Sequence, residues 1–184
     1  MALAILTSEV KTAYTSASNG DTLLLTTGTF SDSGQFEIYK TITIRCEIGN
    51  TCTFDGLNDH RVLYVTSGSD GVLNLEGIIV TKGGDSTSDG SGGGMWIESS
   101  DVTMTSCSIT SSSTSFEGGS GGGMFISSSD VTMTSCSITS STSYEGGGMY
   151  IYSSDVTMTS CSITSNTAVS KFKTEIQIEI ERRS

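Results

Sequence analysis

The sequence predicts an all-β fold, a stack of coils with three short strands in each coil. Three observations carry this. The phrase SSDVTMTSCSITS recurs letter for letter at Ser99–Ser111, Ser128–Ser140 and Ser153–Ser165. Equivalent aspartates, Asp101, Asp130 and Asp155, fall 29 and then 25 residues apart, within the period of roughly 20–50 residues that marks solenoids. Inside each copy apolar residues pair at i, i+2, as Val102/Met104, Cys107/Ile109 and Met124/Ile126, and a period of two means strand. All the variation in spacing lies in one connection, SSTSFEGGSGGG or the shorter SSTSYEGGG, as expected where one loop of a stacked coil points outward.

Taken in order, the chain opens on an expected capping helix over residues 8–18. Val10, Ala13, Tyr14 and Ala17 share one helical face, Glu9 lies in the first turn and Gly20 follows the end, and a bare coil end needs a cover. Diverged coils follow over 22–97. Leu23/Leu25 and Phe36/Ile38 make an incomplete one. Ile42/Ile44, Cys52/Phe54 and Leu63/Val65 make the next, and Leu73/Leu75, Ile78/Val80 and Met95/Ile97 another. Near-identical repeat coils fill 98–167, with Val156/Met158 and Cys161/Ile163 beginning the last. That is about six coils, complete or partial, about 4.8 Å apart. Residues 171–184 contain TEIQIEIE, in which Ile176, Ile178 and Ile180 alternate with charge. This stretch breaks the repeat, either as an edge strand guarded by Glu or as a tail foreign to the fold.

NGDTLLLTTGTF, KTITIRC, LEGIIVTKG and GGGMWI…SDVTMTSCSIT resemble the right-handed parallel β-helix of the pectin-lyase-like superfamily over roughly residues 19–167. The repeats also resemble those of polymorphic outer-membrane and similar surface proteins, where a Gly-Gly-Ala-Ile element alternates with Phe-x-x-Asn. Here the first element reads Gly-Gly-Gly-Met. The second survives as Ile163-Thr-Ser-Asn166, with Ser112 and Ser141 in the Asn place of the other copies. The resemblance implies the fold; a shared fold carries no function with it. Lyases of that superfamily use carboxylates holding Ca2+ and a base that abstracts a proton.

Charge excludes some partners. The net charge is −11, and Gly92–Thr167 contains neither Lys nor Arg, so no basic patch awaits nucleic acid or an anionic membrane. No apolar run reaches the roughly 18–20 residues of a transmembrane helix, and MALAIL lacks the basic flank of a signal peptide. The expected setting is extracellular or cell-surface, as a piece of a longer secreted protein, with a cytoplasmic chain as the alternative.

No catalytic residue is expected. His60 and Arg61, with Asp55 and Asp59, form the one cluster where acids and bases meet, and a polar turn explains DGLNDHR as well. Asp101, Asp130 and Asp155 form a row that reads first as backbone-capping turn residues. As metal ligands they are weak candidates, and no cofactor is expected apart from Ca2+ relieving the stacked charge. Cys107, Cys136 and Cys161 read as small buried hydrophobes. Cys46 and Cys52 bracket a turn in CEIGNTC, with Cys46 at an outward or corner position, and are the candidate disulfide; it would point to an oxidising compartment. The Gly-rich loops lack the Lys-Ser/Thr of a phosphate loop and are expected to supply positive φ at a corner.

The remaining candidate is a rank of outward threonines. Thr103-x-Thr105, Thr132-x-Thr134 and Thr157-x-Thr159 make two columns, with Thr41-x-Thr43 expected to align with them two coils earlier. Their spacing is about 6.7 Å along the strand and about 4.8 Å between coils. Three functions follow. The first is a non-catalytic extracellular solenoid presenting a repetitive surface for adhesion or carbohydrate binding. The second is a polysaccharide lyase or hydrolase, or a fragment of one. The third is an ice-binding protein using the Thr-x-Thr array. Near-identity of the copies favours the first, because an active site is built once from unlike residues, whereas repetition suits multivalent contact.

Overall fold

Alternating apolar residues set every wall of the coil. The computed structural model describes residues 2–5, 10–31, 33–49, 51–66, 72–84, 90–114, 118–169 and 178–181. β1 (Ala2–Ile5) precedes α1 (Val10–Ser16). Five full coils follow: β2 (Asp21–Leu25), β3 (Gly28–Phe30) and β4 (Phe36–Ile38); β5 (Ile42–Cys46), β6 (Cys52–Asp55) and β7 (Leu63–Val65); β8 (Val72–Glu76), β9 (Ile78–Thr81) and β10 (Met95–Glu98); β11 (Asp101–Thr105), β12 (Ser108–Thr110) and β13 (Met124–Ser127); β14 (Asp130–Thr134), β15 (Ser137–Thr139), the two-residue β16 (Thr142–Ser143) and β17 (Met149–Tyr152). β18 (Asp155–Thr159), β19 (Ser162–Thr164) and β20 (Thr167–Ala168) open a further coil, and β21 (Ile178–Glu181) ends the chain's described part.

Strands of one kind stack into three parallel sheets. The first runs β1-β2-β5-β8-β11-β14-β18, the second β3-β6-β9-β12-β15-β19 and the third β4-β7-β10-β13-β17-β21. Inward residues form ladders of like on like: Val102 on Val131 on Val156, Met104 on Met133 on Met158, and Ile109 on Ile138 on Ile163. Most are fully buried, each worth about 1.5–3 kcal/mol against exposure. The ladders open at the last coil, where Met158 is 38% exposed while Met133 is 1% exposed.

Several details depart from the reading of the sequence. The first coil is complete, because β3 supplies its second strand through one buried residue, Phe30. β1 adds a strand before the coils, paired with β2. α1 is shorter than the expected helix, and Glu9 and Ile176 lie outside the described residues. α1 buries Val10 and Tyr14 against the start of the stack. The Tyr14 hydroxyl accepts from Tyr39 N at 2.7 Å and Lys40 N at 3.1 Å. Lys40 Nζ returns to Tyr14 O, Thr15 O and Ala17 O at 2.8–3.0 Å, a cation on the helix's orphan C-terminal carbonyls.

The corners are made by serine. In each copy Ser99, Ser106 and Ser111, or their equivalents, sit in the left-handed region, at φ of 48°, 53° and 54° in the first copy. Gly77 and Lys82 hold the corresponding corners one coil earlier, at 67° and 49°. The corner into the first sheet is closed by the next serine. Ser100 N donates to Ser129 Oγ at 3.1 Å and Ser129 N to Ser154 Oγ at 3.0 Å. The carboxylates of the aspartates that follow make no hydrogen bond with a described residue, which corrects the expectation that they cap this turn. Asn166 serves similarly below the second sheet, accepting from Ser141 N and donating to Ile138 O, both at 2.9 Å.

In the Gly-Gly-Gly element only the first glycine supplies positive φ, as Gly121 does at 67°. The next is there for close approach. A β-carbon at Gly122 would lie 2.6 Å from Gly147 O and nearer still to Thr142 O, both on the neighbouring coil.

Candidate functional site

The first sheet turns three matched rungs outward. Asp101, Asp130 and Asp155 are partners in register, as are Thr103, Thr132 and Thr157, and Thr105, Thr134 and Thr159. All nine are exposed except half-buried Thr134. None of the six threonine hydroxyls is engaged with a described residue. The second sheet differs. There Ser137 Oγ donates to Ser108 Oγ at 3.1 Å and Thr139 Oγ1 to Thr110 Oγ1 at 3.3 Å, so those hydroxyls satisfy one another along the axis. A hydroxyl both donates and accepts, and the first sheet leaves both capacities to the solvent side.

The array is shorter than expected. Ile42 pairs with Leu73, and Leu73 with Val102. Thr43 therefore stands in the Thr103 column, behind Asn74, and Arg45 stands in the Thr105 column, behind Glu76. Thr41 aligns with Val72 and the aspartate row, so the Thr41-x-Thr43 pair is offset by one rung position. Core residues decide this: the observed register sets Ile42 on Leu73 and Ile44 on Leu75, all four buried, whereas the two-residue slip that aligned the threonines would keep the faces but set Ile44 beside Gly77, which has no side chain to pack.

Cys46 and Cys52 are joined by a disulfide across Cα atoms 5.7 Å apart. Cys46 is buried, 7% exposed, so it continues the inward series of Ile42 and Ile44 rather than facing outward. Cys107 and Cys136 are buried and Cys161 half-buried. Contact with the Cys136 thiol, then burial, pushes the Cys107 thiol well up, which keeps it protonated and unreactive. Among the described residues no three His, Cys, Asp or Glu side chains are grouped to hold a metal ion. One carboxylate per coil is well short of the six to eight oxygens Ca2+ takes.

Two members of the acid–base cluster, Asp55 and Arg61, are engaged internally. Asp55 accepts from Leu57 N at 2.9 Å and from Lys82 Nζ at 2.8 Å. Burial raises its pKa, but the Lys82 ammonium and the Leu57 N–H outweigh this and hold it below the ordinary value. Arg61 is 4% exposed; its guanidinium donates to Ser91 O, Gly92 O and Gln35 Oε1 at 2.7–3.2 Å. The cavity beside Asp55 and His60 measures about 20 Å³, room for a water and not for a sugar ring.

One outward feature went unread in the sequence. Tyr64, Trp96, Phe125 and Tyr150 stack along the third sheet at centroid spacings of 6.1, 4.6 and 5.4 Å. Arg61 lies 4.5 Å over the Trp96 ring, and the Tyr64 hydroxyl donates to Glu98 Oε2 at 2.9 Å. The signal is the middle letter of LYV, MWI, MFI and MYI, aromatic in four successive coils. Phe125 and Tyr150 lie face to face, 3° from parallel, so these rings cover one another.

No helix among the described residues is long and apolar enough to cross a membrane. No curated protein and no solved structure matches the chain. The parallel three-sheet coil agrees with the family comparison: residues 42–182 match the model described as right handed beta helix region, and the chain belongs to that family of right-handed parallel β-helices.

Proposed function

We propose that the protein is a non-catalytic extracellular β-solenoid whose first sheet binds glycan, in adhesion or at a cell surface. The observation that carries this is the register of Thr103, Thr132 and Thr157 beside Thr105, Thr134 and Thr159, with no hydroxyl engaged by a described residue. Such a face gives the same weak contact at each coil, and weak contacts on one scaffold add through effective concentration. The engagement of Asp55 and Arg61 in internal bonds supports a binding role over a catalytic one. The Cys46–Cys52 disulfide supports an oxidising, extracellular setting. The net charge of −11 favours neutral glycans over polyanions. The test is retention of the protein on immobilised neutral polysaccharides. Thr132→Tyr, in the middle rung, should release it; equal retention of the variant, or a wild type that binds nothing, ends the reading.

The two threonine columns, at about 4.8 by 6.7 Å, also favour ice binding as a second reading. Thermal hysteresis that disappears with Thr132→Tyr would support it, and a wild type without hysteresis would remove it.

A further inference from the structure

The outer threonine column continues past the repeats into different chemistry. Leu24, Arg45, Glu76 and Thr105 are successive partners on β2, β5, β8 and β11, and Thr134 and Thr159 extend the same line. Where the line crosses the diverged coils an open groove of about 650 Å³ forms between it and the loop closed by the Cys46–Cys52 disulfide. Glu47 and Ile48 of that loop line the other side, and Ile48 is 99% exposed. Arg45 and Glu76 stand side by side, yet neither side chain has a hydrogen bond or ion pair with a described residue. The volume falls within the roughly 300–1,000 Å³ of small-ligand sites.

We infer that this groove is a saccharide subsite, holding one end of a neutral oligosaccharide whose remainder follows Thr105, Thr134 and Thr159. The inference rests on the glycan-binding reading of the first sheet. Arg45 offers fixed forked donors and Glu76 a pair of acceptors, the complement of neighbouring sugar hydroxyls. Leu24 and Ile48 offer apolar surface to the C–H face of a ring. Glu76 beside Arg45, in a chain of net charge −11, disfavours an acidic sugar. The disulfide holds Cys46 and Cys52, with Cα atoms 5.7 Å apart, beside the groove, and a wall tied in this way costs less to order on binding.

The experiment is calorimetric titration of the full chain with neutral cello-, xylo-, manno- and chito-oligosaccharides of three to six units. Arg45→Ala and Glu76→Gln should each weaken binding about tenfold, the size expected for losing a hydrogen bond to a charged group. Ile48→Ser, at a side chain wholly in solvent, should weaken it too, and serves if either charge variant fails to fold. Unchanged affinity in all three, with binding lost in Thr132→Tyr, overturns the groove and leaves the threonine face standing. Loss in the groove variants with Thr132→Tyr unaffected supports the groove and overturns the wider face. A wild type that binds no member of the panel overturns both.

Discussion

Ser129 Oγ lies 3.1 Å from the backbone nitrogen of Ser100 and donates in turn to Ser127 O at 2.7 Å. One buried hydroxyl thus ties two coils together and closes its own corner. Ser154 repeats the arrangement, accepting from Ser129 N and donating to Tyr152 O at 2.8 Å.

The first prediction separates this serine from the aspartate after it. Ser129→Ala removes the acceptor of the Ser100 N–H in a corner where Ser129 is 5% exposed, while Ser127 O keeps its bond from Ser99 N at 3.0 Å, so it should cost about 1–3 kcal/mol. Asp130→Ala removes an exposed side chain that closes nothing and should fall within about 0.5 kcal/mol of wild type. Urea midpoints of the two variants decide it; a larger loss in Asp130→Ala would return the corner to the aspartate.

The second prediction concerns the left-handed corners. Ser135 sits at φ of 54°, where Gly77 sits at 67° two coils earlier. A non-glycine residue there costs roughly 1–2 kcal/mol, offset in part by glycine's extra unfolded freedom. Ser135→Gly should therefore leave the thermal midpoint unchanged or raise it. Ser135→Val, with a branch at Cβ, should lower it clearly. Equal midpoints for the two variants would contradict the corner assignment.

The coil was legible in the sequence because its core letters alternate and then repeat. Val102, Met104, Cys107 and Ile109 could be placed inward from spacing alone. β3 was not legible, since GTF has a single buried side chain and one residue shows no period. The threonine register was misread for a related reason. Thr41-x-Thr43 looks like Thr103-x-Thr105, but outward residues do not set register; the buried Ile42 and Ile44 do. The serine corners escaped because serine is an ordinary residue in turns, and its left-handed φ becomes apparent only where a glycine shares the column. The groove at Arg45 and Glu76 needed three coils in register and a disulfide loop folded beside them, a juxtaposition that no spacing in the chain encodes.

A third prediction follows from Asp55. Its pKa is held below the ordinary 3.8 in the folded chain, so it contributes stability above that value, and the contribution is lost as pH falls through the lower folded value. Stability should fall with acid from about pH 4 downward. Asp55→Asn should flatten that part of the profile and leave the slope at neutral pH alone. Lys82 is half exposed, so its share of the ion pair is screened and Lys82→Met should reproduce the flattening only in part. A wild-type profile level across this range would contradict the assignment.

The last prediction uses the thiol ladder to read the open end of the stack. Cys107, Cys136 and Cys161 occupy the same inward place in three successive coils, and only Cys161 is not buried. Thiolate character and access govern labelling, and access here depends on how many coils lie beyond each sulfur. Stability in a solenoid is nearly a sum over repeats and their interfaces, so the last coil opens at lower cost than those covered on both sides. Maleimide labelling under native conditions should therefore modify Cys161 first, with Cys136 following at a rate set by local opening and Cys107 slowest. Peptide mapping at timed quenches orders the three. Cys161→Ser should remove the fast phase without changing the slow ones. If Cys107 were modified as fast as Cys161, the coils would not open from that end and the exposed Met158 would not mark a frayed terminus.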